Sequence, residues 1–131
     1  MSAAGTVDTG TLLEVRDLTI DLPGNGGPIR IVDHIDLDVT PGRVLGIAGE
    51  SGSGKTMTAL ALLGLLPHGA VTGGSARFGD RELLGLSRRE WRDVRGDDIA
   101  VVFQDPMTAL HPMLTVERQL TEHVRRHLGV G

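Results

Sequence analysis

The eight residues GESGSGKT, Gly49 to Thr56, restrict the fold of this chain more than any other stretch. Their spacing, Gly-x-x-x-x-Gly-Lys-Thr, is the P-loop pattern, which needs a strand before it and a helix after it. Both flanks comply. Residues 43–49, RVLGIAG, form a short and nearly continuous apolar run, as in a strand buried on both faces. Residues 55–66 are rich in Ala, Leu and Met and stop at Pro67-His68-Gly69, which predicts a helix. The expected fold class is therefore α/β, built on a P-loop NTPase core.

The pattern has a physical logic residue by residue. Gly49, Gly52 and Gly54 permit positive φ and close backbone approach. Consecutive N–H groups from Gly49, Glu50, Ser51, Gly52, Ser53, Gly54, Lys55, Thr56 and Met57 can then form a nest for phosphate oxygens. The helix that follows adds its positive N-terminal end. Lys55 opens that helix and reaches the β- and γ-phosphates, while Thr56 offers a hydroxyl to Mg²⁺. Lys55 is the only lysine among the 13 Lys and Arg residues of the chain. A compact ammonium on a thin stem fits inside such a loop, whereas a planar guanidinium needs a wider approach.

Upstream, residues 12–22 and 29–39 alternate in hydropathy and predict two strands with a solvated face, joined at a PGNGGP turn. They are expected to pair as an N-terminal antiparallel β unit. Downstream, residues 73–84 predict a hairpin, or a strand with a turn at Gly79-Asp80. Ser87 and Glu90 match a capping box at the start of a short basic helix reaching about Arg95. Residues 99–103 read as a second doubly buried strand, and Thr115 caps a last helix over 116–128, ended by Gly129. Two such buried strands imply a parallel crossover, yet a doubly wound sheet normally has four or more. The sheet is thus expected to be incomplete. Residues 1–11 read as a flexible leader, without the charged and apolar regions of a signal peptide.

Aromatic residues are limited to Phe78, Trp91 and Phe103, so an aliphatic core is expected. Cysteine is absent, which excludes disulfides and thiolate metal sites. A net charge of −4 with interspersed signs argues against nucleic acid as a partner. His123 and His127 are four apart, but no third ligand accompanies them, so a solvated helix face is expected. Arg88, Arg89, Arg92 and Arg95 could clamp phosphates, and a solvated basic face is again the plainer reading. Gln104 and Asp105 leave the second buried strand at its C-terminal end, the edge where open α/β sheets bind ligands.

Three stretches resemble one family. LLEVRDLTIDL with IVDHIDLDVTPGRVLGIAGESGSGKT is similar to the N-terminal β unit and P-loop of ABC transporter nucleotide-binding subunits. VVFQDPMTALHPMLTVERQL resembles the Q-loop region of the branch that imports dipeptides and oligopeptides. The likeness covers residues 12–128. It implies that Gly49 to Met57 hold ATP, that Thr56 and Gln104 ligate Mg²⁺, and that Lys55 and Gln104 serve hydrolysis of the γ-phosphate. It also implies transmembrane permease subunits and a second nucleotide-binding subunit as partners. The implied location is the cytoplasmic face of the plasma membrane, held peripherally.

The departures from the family pattern are equally specific. No LSGGQ signature, acidic strand end with a catalytic glutamate, or switch histidine follows the Q-loop stretch, and TGGSA at 72–76 precedes it. Residues 12–131 therefore resemble the N-terminal half of an ABC-type nucleotide-binding domain, truncated before the sheet and helical subdomain are complete. Without those motifs the chain alone is expected not to turn over ATP. Leu22 stands where the family carries an aromatic residue against the adenine. Two other readings remain open: a small P-loop kinase with residues 87–95 as a phosphate lid, and a non-catalytic nucleotide-binding fragment.

Overall fold

The computed structural model describes residues 10–105, 107 and 109–129. Most of the expected leader, together with Pro106 and Thr108 of the Q-loop stretch, lies outside the described residues. The described residues fall into two compact units that divide between Arg88 and Arg89, at the first residue of the second helix.

In the first unit, β1 (Leu13–Leu22), β2 (Ile29–Val39), β3 (Val71–Phe78) and β4 (Arg81–Glu82) form one antiparallel sheet in the order β2-β1-β3-β4. The alternation in β1 changes parity between Val15 and Leu18, and the structure explains why. Asp17 adopts φ 53° and His34, on β2, φ 51°, and the two strands bulge at successive steps on either side of the Leu18–Ile35 pair. Asp17 N–H donates to Asp36 Oδ1 at 2.6 Å, and His34 Nδ1 pairs with Asp17 Oδ1 at 2.5 Å. On the other flank Gly74 takes φ 81°, where a Cβ would clash with Asp17 O. A bulge inserts one residue and re-aims the strand. Val15, Leu18 and Ile20 all end up fully buried, with Ala76 and Leu83. That core is aliphatic, as the composition predicts.

Helix α1 (Lys55–Ala61) is shorter than the expected 55–66. Gly64 takes φ 62°, and Leu65 N–H returns to Leu60 O at 2.9 Å. The left-handed glycine thus closes the helix before Pro67.

The larger correction concerns the two doubly buried strands. Neither 43–49 nor 99–103 forms a ladder, and no parallel crossover exists among the described residues. Residues 41–50 are exposed throughout; Val44 is 99% and Val102 97% accessible. A parallel strand needs a neighbour to pair with and a layer over each face. Neither unit's described residues supply them, beyond one isolated parallel bridge between Arg95 and Ile99.

In the second unit the helices are α2 (Arg88–Val94), which starts directly after Ser87, and α3 (Val116–Leu128). The core here is not purely aliphatic, because Trp91 is buried beside Val94. The Arg95 guanidinium stacks 5.1 Å from the centre of the Trp91 ring. Thr115 caps α3 by accepting Arg118 N–H, and Gly129 ends it at φ 62°. The Gln119 side chain bonds His111 and Leu114 and so ties α3 to the loop before it. No helix among the described residues is long and apolar enough to cross a membrane.

Candidate functional site

The Gly-rich loop closes on its own lysine. Lys55 is the first residue of α1, and its side chain turns back across the loop. Lys55 Nζ donates to Gly49 O at 2.6 Å, Glu50 O at 2.7 Å and Ser53 Oγ at 3.0 Å. An ammonium has three protons, and each meets a loop oxygen. The charge is therefore held at the centre of residues 49–55. These acceptors are neutral, whereas a phosphate oxygen carries charge and forms a hydrogen bond about twice as strong.

The three glycines of the pattern serve different ends. Gly52 needs its backbone freedom, with φ 82° and open space around it. Gly54 needs freedom and room together. Its φ is 90°, and a Cβ there would sit 2.9 Å from Val32 Cγ2 and 3.0 Å from Ile31 O. The loop's end is thereby seated on β2. Gly49 lies outside the positive-φ range, contrary to expectation; a Cβ there would meet Ser53 Oγ at 2.6 Å, so the Ser53 side chain would have to turn away.

Gly54 caps α1 without a side-chain hydrogen bond, and the first turn carries no acid. The positive end of the helix is thus uncompensated by any neighbouring carboxylate of that turn. Glu50, Ser51 and Thr56 are exposed and Met57 is half-buried. Behind the loop, Ile35 and Leu37 of β2 and Leu45 and Ile47 line a cavity of about 620 Å³ that Gly54 and Lys55 also border.

Two residues that seat the loop escaped the sequence reading. Thr58 is buried, and its N–H and Oγ1 both reach Gly54 O, at 2.8 and 2.9 Å. A Thr four residues after a helix cap can make that backbone bond, so a signal existed. Val32 lies 22 residues before Gly54 and carries no local signal for the contact.

Gln104 belongs to the second unit, where it is exposed in the loop after Phe103. The rings of His123 and His127 lie 4.6 Å apart, but His127 Nδ1 pairs with Asp97 Oδ1 at 2.8 Å. Among the described residues no group of three acids or histidines could hold a metal. An oxygen donor such as the Thr56 hydroxyl instead suits Mg²⁺, which binds through few protein ligands and substrate phosphates. Leu22 is half-buried and lines a cavity of about 420 Å³ with Pro23 and Pro28.

An antiparallel β unit leading into a Gly-rich loop wrapped around a lysine, with a helix behind it, defines the class as a P-loop NTPase core of α/β type. Residues 32–129 match the ABC transporter family, and the chain belongs to it. It is 44% identical over 120 residues to the oligopeptide transport ATP-binding protein OppD of Salmonella typhimurium, covering 92% of this chain and 36% of that relative. It is 43% identical over 119 residues to the dipeptide transport ATP-binding protein DppD of Haemophilus influenzae, covering 90% and 36%. Identity to the peptidoglycan transport ATP-binding protein YejF of Agrobacterium fabrum is 42% over 125 residues, covering 94% and 23%. The chain thus spans 23% of YejF and 36% of OppD, well under half of either relative.

Proposed function

We propose that residues 12–131 are the N-terminal half of a nucleotide-binding domain whose ATP hydrolysis energises an ABC importer of peptides or related solutes. One observation carries the reading: the sole lysine is gathered by three oxygens inside a Gly-rich loop at the start of α1. Gly49 to Met57 supply the cradle for the triphosphate. Lys55 exchanges its loop partners for β- and γ-phosphate oxygens and offsets their charge. Thr56 and Gln104 would hold Mg²⁺, which supplies further charge neutralisation on the phosphates. The names of the OppD and DppD relatives, oligopeptide and dipeptide transport ATP-binding proteins, support the solute class.

The partners that fit are transmembrane permease subunits and a second nucleotide-binding subunit. The fitting location is the cytoplasmic face of the membrane, held by those permeases. The 131 residues contain no LSGGQ signature, so nucleotide binding without sustained turnover is the expected property of this chain alone.

Thermal unfolding with and without Mg²⁺-ATP tests the reading. At about 100 times the dissociation constant, ligand adds roughly 2.7 kcal/mol to the folded state. The upward shift should vanish in Lys55→Ala. A shift that persists unchanged in the variant, or no shift in the native chain, overturns the assignment of the loop.

A further inference from the structure

The second unit holds a cluster of basic side chains that the nucleotide reading does not use. Arg89 and Arg92 on α2 and Arg126 and His127 on α3 line one cavity of about 540 Å³. Arg92, Arg126 and His127 also line an adjoining cavity of about 320 Å³, joined there by Arg95 and His123. The basic face of α2 is therefore not simply a solvated stripe, because a second helix adds Arg126 to the same cavity.

The local chemistry favours an anion. Arg89, Arg92 and Arg126 form no ion pair or side-chain hydrogen bond among the described residues. Two acids line the larger cavity, but Asp97 is committed to His127 at 2.8 Å, and Asp93 pairs with none of the three arginines. The Asp97 contact also positions the His127 ring, which Gly96 (φ 89°) admits at close range: a Cβ there would clash with His127 Cε1. Three guanidinium groups facing one space repel each other, and each presents a planar fork of donors suited to phosphate oxygens.

We propose that the cavity between α2 and α3 binds a phosphate-bearing anion, held by Arg89, Arg92 and Arg126 beside His127. The site is separate from the Gly-rich loop in sequence and in chemistry. It uses arginine forks where the loop uses one ammonium and backbone N–H groups.

The probe is inorganic pyrophosphate, titrated into the full chain carrying Lys55→Ala so that the loop does not compete. Arginine Nε–H and histidine ring resonances are followed by NMR. Saturable shifts at Arg89, Arg92, Arg126 and His127 are expected, weakening as salt rises. Arg92→Gln with Arg126→Gln should lower the affinity by about tenfold or more, with the backbone spectrum of α2 and α3 retained. Arg89→Gln alone is the second variant should the double one not fold, and it too should weaken binding. Shifts that do not saturate, or an affinity unchanged by the glutamine substitutions, overturn the proposal. Co-sedimentation with phosphatidylglycerol vesicles against phosphatidylcholine vesicles then separates the sources. Arginine-dependent sedimentation assigns a lipid headgroup, and pyrophosphate binding without it assigns a soluble phosphate.

Discussion

Strand β1 and the runs 43–49 and 99–103 are all rich in aliphatic and β-branched residues, yet their fates are opposite. Val15, Leu18 and Ile20 are fully buried in an antiparallel ladder, whereas Val44 and Val102 stand almost wholly in solvent. The difference is one of partners. An antiparallel strand finds its neighbour across a short turn, as β1 finds β2 across residues 23–28. A parallel strand must wait for a crossover to deliver one. Hydropathy alone records that a segment is suited to burial, not that the chain contains what would bury it.

Core truncation should widen this contrast most. Leu18→Ala is expected to cost about 2–5 kcal/mol in urea unfolding, while Val44→Ala and Val102→Ala should stay within about 0.5 kcal/mol. Equal losses would show that the exposed runs are buried in solution and would erase the distinction. Next in size is the bulge. Gly74→Ala forces a Cβ against Asp17 O at φ 81° and should destabilise the first unit by about 2 kcal/mol. A neutral outcome would mean that the three strands can slide out of register together.

Smaller again is Thr58→Val, which removes the Oγ1 bond to Gly54 O but leaves the backbone one. A loss of about 1 kcal/mol is expected, and hydrogen exchange should rise in residues 49–55. Protection unchanged in the loop would detach Thr58 from its seating. The least effect concerns the ladder pair Asp21 and Arg30, linked at 2.5 Å. The Arg30 hydrogen bond holds the Asp21 carboxyl below its ordinary 3.8. Its stabilisation is therefore complete above that value and fades as pH falls through the depressed one. Asp21→Asn should flatten the acid limb of a stability–pH curve slightly, and an identical limb would show the pair to be inert.

Much of the local structure was legible in the sequence. The bounds of β2, the Gly79-Asp80 hairpin, the Thr115 cap and the Gly129 stop follow from turn and cap chemistry within a few residues. The parity break at Val15 and Leu18 was visible as well, although its cause, positive φ at Asp17, His34 and Gly74 across three strands, was not. The site divides in the same way. Lys55 and its glycines are announced by spacing, whereas Val32 beneath Gly54 and Arg126 opposite Arg92 depend on contacts between distant parts of the chain. The overestimated parallel strands belong to the same category, since pairing is the least local property of all.

The solitary lysine has one more consequence. Acylating or reductively methylating reagents that seek side-chain amines find a single address in this sequence, and it is the heart of the loop. The amine is engaged in three hydrogen bonds at rest. Its labelling rate therefore reports directly on how firmly the loop grips itself, with no other side chain to confuse the signal.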